Sequence, residues 1–269
     1  MNLLLLEPGE LAPDGTARLA GRRARHVHAV LRVAAGDSIR AGVVGGRMGE
    51  AEVLALSADE VVLAPRLDLD PPPPAPVALL LALPRPKILR RVLQAAASMG
   101  VKRIVLAGSW RVEKSYFGSP LLAPERLRQE LLLGLEQGRD TILPEVQVRR
   151  LFKPLVEDEL DALLPAPARL LAHPVDATPL EAIAPPPFDR LRASGTVEGR
   201  GASGAAEGAG ARDATLAIGP EGGFTAYEAG LLQERGFRPF TLGARILRVD
   251  AAVPFAVGQV ELWLRRARA

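Results

Sequence analysis

Apolar and polar positions follow two different rhythms along this chain. Over the first 70 residues, short apolar runs recur at 3–6, 38–44, 51–56 and 61–64. Gly45-Gly46 and Ser57-Ala58-Asp59 punctuate them, and short runs bounded by such turn residues predict β-strands. One stretch, 22–31, has helical spacing. Four consecutive prolines, Pro71 to Pro74, then open a stiff spacer over 71–76. Beyond it the pattern alternates. Residues 77–83 form a continuous apolar run, as in a strand buried on both faces. Residues 87–99 place Ile88, Val92, Ala95 and Met99 on one side of a helix, with Gly100 to end it. Strands at 103–107 and 169–172 and helices at 125–136 and 158–164 continue the alternation. The expectation is a β-rich domain at 1–70, a linker at 71–76, and an α/β domain with a largely parallel sheet at 77–269.

Composition narrows the picture. Of 269 residues, 48% are hydrophobic, enough for a full core. No apolar run reaches the roughly 18 residues of a membrane span, and the opening MNLLLLEPGE lacks the basic start and long apolar stretch of a secretory signal. No membrane association is expected. Cysteine is absent, which excludes disulfides, thiolate metal sites and cysteine nucleophiles and fits a cytoplasmic location. His26, His28 and His173 are the only histidines, so no metal centre is expected. The net charge of +3 is a mild pointer to an anionic partner. Nearly all cations are Arg, which suits phosphate and base contacts; a chain equally rich in Ala, Gly and Pro also explains this by base composition. The segment 193–212 is dominated by Gly and Ala and reads as a disordered insertion.

The most informative residues lie in the last third. A strand at 215–218 runs into Gly219-Pro220-Glu221-Gly222-Gly223-Phe224-Thr225. Gly222 and Gly223 can take positive φ and admit a ligand close to the backbone. Thr225 and Glu228 have the spacing of a capping box for a helix ending at Gly236. By itself this is equally a tight strand-to-helix turn. It is neither a Walker loop nor a G-x-G-x-x-G loop. Next come Leu242-Gly243-Ala244-Arg245-Ile246-Leu247-Arg248-Val249-Asp250-Ala251-Ala252 and a helix apolar on most of its circumference, with Asp250 as its expected N-cap. Such a helix is buried in a core or in a subunit interface.

IGPEGGFTAYEAGLLQERGF followed by LGARILRVDAA resembles the SPOUT-superfamily uridine N3-methyltransferases of 16S ribosomal RNA. Earlier parts are similar too: His26 through Val30-Leu31-Arg32, Lys87 with Val92-Leu93-Gln94, Glu136-Gln137, and His173-Pro174. The resemblance implies a PUA-like β-barrel for RNA recruitment, followed by a knotted α/β methyltransferase domain that binds S-adenosyl-L-methionine and forms a homodimer through that domain and its C-terminal helix. It implies 16S rRNA or the small ribosomal subunit as partner. Leu171, His173, Ile218, Gly219, Pro220, Glu221, Gly222, Gly223, Leu242, Gly243, Ile246 and Leu247 are then the cofactor-binding set. This chain departs from the usual pattern at Ser98, Trp110, Arg139-Asp140 and Ala251.

The implied chemistry assigns further roles. Uracil N3 must lose a proton, so a carboxylate, Glu221 or Asp250, is needed as base. An Arg near the uracil oxygens, Arg248 or Arg245, would stabilise the anion. Structural alternatives stay open: Asp250 as a helix cap, Glu221 as a turn residue, Arg248 as the ion-pair partner of Asp250. Arg22, Arg23, Arg25 and Arg32 with His26 are the RNA-contact candidates; a solvated helix face is the alternative. A divergent RNA- or ribosome-binding paralogue with weak activity or another methylation target is the competing function.

Overall fold

The computed structural model describes residues 2–27, 33–57, 59–185 and 213–266. Arg32 and the 193–212 segment lie outside these residues, and of Arg22 and His26 only the backbone is described. The chain forms two compact units. One comprises Met1–Pro74, Leu93–Gly100 and Pro124–Pro144; the other Ala75–Val92, Val101–Ala123 and Glu145–Ala269.

The first unit is built on β1 (Leu4–Leu6), β2 (Ala17–Ala20), β3 (Ser38–Val43), β4 (Met48–Leu56) and β5 (Glu60–Leu69), with the short helix α1 (Arg22–His26). The strands form one nearly closed, barrel-like sheet in the order β1-β3-β4-β5-β2, β1 parallel to β3 and the other pairs antiparallel. Every strand gives its core residues two positions apart: Leu4 and Leu6, Ala17 and Leu19, Ile39 and Ala41, Ala51 and Val53, Val61 and Leu63. That spacing puts one face of each strand inside. Strand β2 went unread in the sequence because Ala17-Arg18-Leu19-Ala20 carries a single large apolar residue.

Helix α2 (Pro86–Ser98) starts in the second unit and ends in the first, where α3 (Pro124–Gly138) packs on its last turns. A Cβ at Gly134 would lie 2.4 Å from the Gln94 carbonyl oxygen, and one at Gly138 2.5 Å from that of Ser98. Only glycine permits this approach. Arg139, at φ 56°, follows in the left-handed conformation that glycine normally takes. Glu7 accepts two bonds from Arg128 of α3 at 2.8 and 2.7 Å.

The second unit holds a seven-stranded, all-parallel sheet. Its strands are β6 (Val77–Ala82), β7 (Arg103–Ala107), β8 (Glu145–Arg149), β9 (Ala168–Ala172), β10 (Thr178–Pro179), β11 (Ala214–Ile218) and β12 (Arg238–Thr241). The order is β10-β12-β9-β11-β6-β7-β8. Strand β11, late in the chain, thus lies between β6 and β9 formed from earlier segments. Every residue of β6 and β11 is buried, as a central parallel strand requires. Buried Thr215 satisfies its hydroxyl by donating to the Leu164 carbonyl at 3.1 Å. Edge strand β8, Glu-Val-Gln-Val-Arg, is half-buried and alternating, which is why it lacked a strong apolar signal. Short helices α4 (Phe152–Pro154) and α5 (Leu160–Leu163), joined through Leu155–Glu159, precede β9. Helices α6 (Ala226–Glu234) and α7 (Val249–Arg266) complete the unit. Among the described residues no helix is long and apolar enough to cross a membrane.

The hydrogen bond from Arg128 holds the Glu7 carboxyl below its ordinary value of 4.5, partly opposed by burial. Proton uptake there favours the unfolded chain, so this contribution is present at neutral pH and is lost as pH falls below about 4.5. Both side chains are partly exposed. Glu7→Gln is therefore expected to lower stability by about 0.2–1 kcal/mol at pH 7. In urea denaturation the gap to the parent protein closes under acid.

Candidate functional site at the carboxyl edge of the parallel sheet

Parallel register places the ends of three neighbouring strands together. Ile218 of β11 is level with Ala172 of β9, and Ala172 with Phe240 of β12. The segments that leave these ends are the glycine loop 219–225, His173, and Thr241-Leu242-Gly243. Ligands of open α/β sheets bind outside such carboxyl ends. The His173 amide donates to the Phe240 carbonyl at 3.1 Å, tying two of the exits together. A hydroxyl turn fixes the third: the Gly243 amide donates to Thr241 Oγ1 at 3.1 Å.

The glycine loop is closely folded. Gly223 has φ 72°, so it uses the conformational freedom of glycine. Gly222 does not take positive φ, contrary to expectation; its constraint is the Arg111 side chain, 3.1 Å from where a Cβ would stand. Gly219 is the tightest position, since a Cβ there would lie 2.8 Å from the Phe224 amide nitrogen. The capping box expected at Thr225 and Glu228 forms in full.

Glu228 does more than cap. It is buried, with 4% of its surface exposed. Its Oε2 accepts from the Thr225 amide and hydroxyl, both at 2.9 Å, and its Oε1 accepts from the Trp110 amide at 2.7 Å. The loop that follows β7 is thereby fastened to the glycine loop. Arg111 adds a second tie, donating to the Gly222 carbonyl. In the same loop Ser109 Oγ is buried without a hydrogen-bond partner among the described residues. Sequence reasoning missed Arg111 and this second duty of Glu228. The available signal was position: both flank exits from buried parallel strands.

Leu171 and Ile218 are buried, and Gly219 and Pro220 close behind them, while Glu221 is exposed. Leu242 and Leu247 are half-buried; Arg245, Ile246 and Arg248 are exposed, Ile246 to 93%. Helix α7 begins at Val249, and the Arg248 carbonyl accepts from the Ala252 amide at 2.7 Å. Asp250 thus sits in the first turn and is not the N-cap, where its charge still complements the helix dipole. Nor does Asp250 pair with Arg248. Its partner is Arg91 of α2, Nη1 to Oδ2 3.0 Å.

In the first unit, Arg23 is engaged by Glu10 at 2.6 Å and by the Leu5 carbonyl, and Arg25 by Asp59 at 3.0 Å. A cavity of about 870 Å³ opens on the α7 side of the Thr241-Leu242-Gly243 exit, among Pro179, Leu180, Leu242, Phe255, Leu262 and Trp263. Of the expected cofactor residues it includes only Leu242 and Gly243, and its walls lack a glycine loop. The carboxyl edge is the better candidate. Helix α7 is not buried all round within the chain: Phe255 and Leu262 are about half exposed.

Residues 71–261 match the model of the RNA methyltransferase domain family. A ribosomal RNA small subunit methyltransferase E from Treponema pallidum is 30% identical over 99% of this chain and 94% of its own length. The chain belongs to this family of SPOUT RNA methyltransferases. A ribosomal RNA small subunit methyltransferase E from Neisseria gonorrhoeae, crystallised with S-adenosyl methionine, superimposes with a TM-score of 0.68 at 22% identity, covering 97% of each chain. A Legionella pneumophila structure with bound SAM gives 0.69 at 21% identity, again over 97% of each chain. Both show the same architecture as this family member, a PUA-like barrel with a SPOUT domain.

Burial holds the His173 imidazole below its ordinary value of 6.5; Asp176 opposes this, and the Arg111 guanidinium adds to it. The unfolded chain therefore binds this proton more readily than the folded one, so stability is lost as pH falls through 6.5. An NMR titration is expected to give His173 a midpoint below 6.5, moved upward by Arg111→Gln. An unmoved midpoint would separate Arg111 from His173.

Proposed function

We propose that this methyltransferase transfers the methyl group of S-adenosyl-L-methionine to N3 of a uridine in 16S ribosomal RNA, in the cytoplasm. The observation that carries the reading is the convergence at one sheet edge of the glycine loop, His173 and the 241–247 segment. The site suits the cofactor on two counts. Gly219 lets the loop fold back on its own Phe224 amide, a shape that a single Cβ would break, and Ser109 Oγ is a buried hydroxyl with no partner among the described residues. Leu171, His173, Ile218, Gly219, Pro220, Glu221, Gly222, Gly223, Leu242, Gly243, Ile246 and Leu247 would hold it. Bound there, S-adenosylmethionine supplies an electrophilic methyl on a positively charged sulfur.

The residues of the chain then have to orient the uracil and take its N3 proton. Asp250 is engaged by Arg91, whereas Glu221 is exposed and has no partner among the described residues. Glu221 is the better placed base. Arg248 and Arg245 are exposed and likewise without an ion pair among the described residues, which suits stabilisation of negative charge on the uracil oxygens. Arg22, Arg23, Arg25, His26 and Arg32 would meet RNA phosphates from the first unit. A second copy would cover the exposed face of α7 at Phe255 and Leu262, making the enzyme a homodimer.

Purified protein, labelled cofactor and small-subunit rRNA test the reading directly, with the product identified as 3-methyluridine by mass spectrometry. RNA binding without transfer would favour the binding-only paralogue. Gly219→Ala is expected to weaken cofactor binding at least about tenfold, roughly 1.4 kcal/mol, in calorimetry. Arg248→Ala should slow single-turnover transfer about 10²–10³-fold with cofactor binding nearly unchanged. It should leave the melting temperature unchanged, since no ion pair is lost. A rate within threefold of the parent would move the role to Arg245.

A further inference from the structure

Trp110 is the largest side chain that the fold leaves uncovered: 86% of its surface is exposed. The second tryptophan, Trp263, shows the ordinary arrangement, 5% exposed with its indole nitrogen donating to the Ile183 carbonyl at 2.7 Å. An indole in water forgoes the burial that usually stabilises it. Its backbone, by contrast, is fixed. The Trp110 amide is bound by buried Glu228, Arg111 is bound to the Gly222 carbonyl, and the Val112 amide donates to the Ser109 carbonyl at 3.0 Å. The ring is therefore presented from a fastened loop next to the glycine loop, not from a loose surface turn.

Cations outnumber acids around it: Arg111, Glu113 and Lys114 follow in the same loop. Behind it Gly108 rests on the Arg150 backbone, where a Cβ would lie 1.9 Å from the carbonyl oxygen, and the Arg150 guanidinium stands 5.6 Å over the Phe117 ring. An aromatic face among cations matches single-stranded RNA, whose bases stack on such rings while phosphates meet the charges. A uridine whose N3 is to be alkylated must leave its base pair, since pairing occupies N3, and the bases around it lose stacking partners.

We propose that Trp110 is a stacking platform for an unpaired base of the RNA substrate, beside the methyl-transfer site. It acts in binding and placement and takes no part in the chemistry. The proposal rests on the RNA methyltransferase reading above and adds the residue that would receive a base.

The two tryptophans make the test spectroscopic. In the full-length protein, a short single-stranded oligouridylate is expected to quench the exposed, red-shifted emission of Trp110. Trp110→Phe should abolish the quench yet keep oligonucleotide affinity within about threefold, because phenylalanine still stacks. Trp110→Ala should weaken RNA affinity and raise the KM for rRNA about 5- to 100-fold, with the loss on KM and not on kcat. A quench that persists in Trp110→Phe would overturn the proposal, as would RNA affinity and KM within twofold of the parent in Trp110→Ala. So would dissociation of an oligomer by Trp110→Ala with RNA affinity unchanged, since Trp110 would then contact a second copy. The two readings fail separately. Trp110-dependent quenching without methyl transfer would sink the enzymatic assignment alone, and transfer indifferent to Trp110 would sink the platform alone.

Discussion

The carboxylate of Glu228 is the constraint on which the candidate site depends. Three donors converge on it: the Thr225 amide, the Thr225 hydroxyl and the Trp110 amide. The first two start helix α6. The third comes from a loop 118 residues earlier in the chain. A buried acid must be fully hydrogen-bonded to be tolerated, and here the requirement joins two loops that strand pairing alone would leave independent. Arg111 and Gly222 repeat the join on the surface. The glycine loop then has a fixed floor at Gly219, a fixed exit at Thr225 and a fixed neighbour at Trp110.

The sheet supplies the rest of the geometry. Seven parallel strands point their carboxyl ends the same way, so one edge gathers the loops that follow β11, β9 and β12. Placement of β11 between β6 and β9 makes the glycine loop central. Helix α7 adds Asp250, bound to Arg91, and leaves the neighbouring Arg248 outside any ion pair among the described residues. A single carboxylate satisfied by α2 thus frees the arginine to which the proposed chemistry assigns the anion.

Much of this was legible in the residues. A fully apolar run marked β6, short apolar runs bounded by turn residues marked β3 and β4, and the Thr225-x-x-Glu228 spacing foretold its capping box. What escaped was whatever depended on partners distant in sequence. Nothing near Glu228 announces Trp110, and nothing near Asp250 announces Arg91. Asp250 looked like a cap and Arg248 its natural partner because only local spacing was visible. Gly222 looked like a positive-φ residue because its neighbour Gly223 is one; the real constraint, the Arg111 side chain, comes from another strand's exit. Strands β2 and β8 were missed for a different reason, being edge strands with few large apolar residues. The resemblance to the SPOUT family rested on the glycine loop and the Leu-Gly-x-Arg segment, and family membership followed from the comparisons.

Glu228 makes one site of two loops, and amide hydrogen exchange in Glu228→Ala measures that join. Protection at Trp110 and Thr225 is expected to fall together, by about 10-fold or more given the 1.5–3 kcal/mol of a hydrogen bond to a charged group, while the barrel strands of the first unit keep theirs. Protection at Trp110 that survives the loss of Glu228 would contradict this role of Glu228.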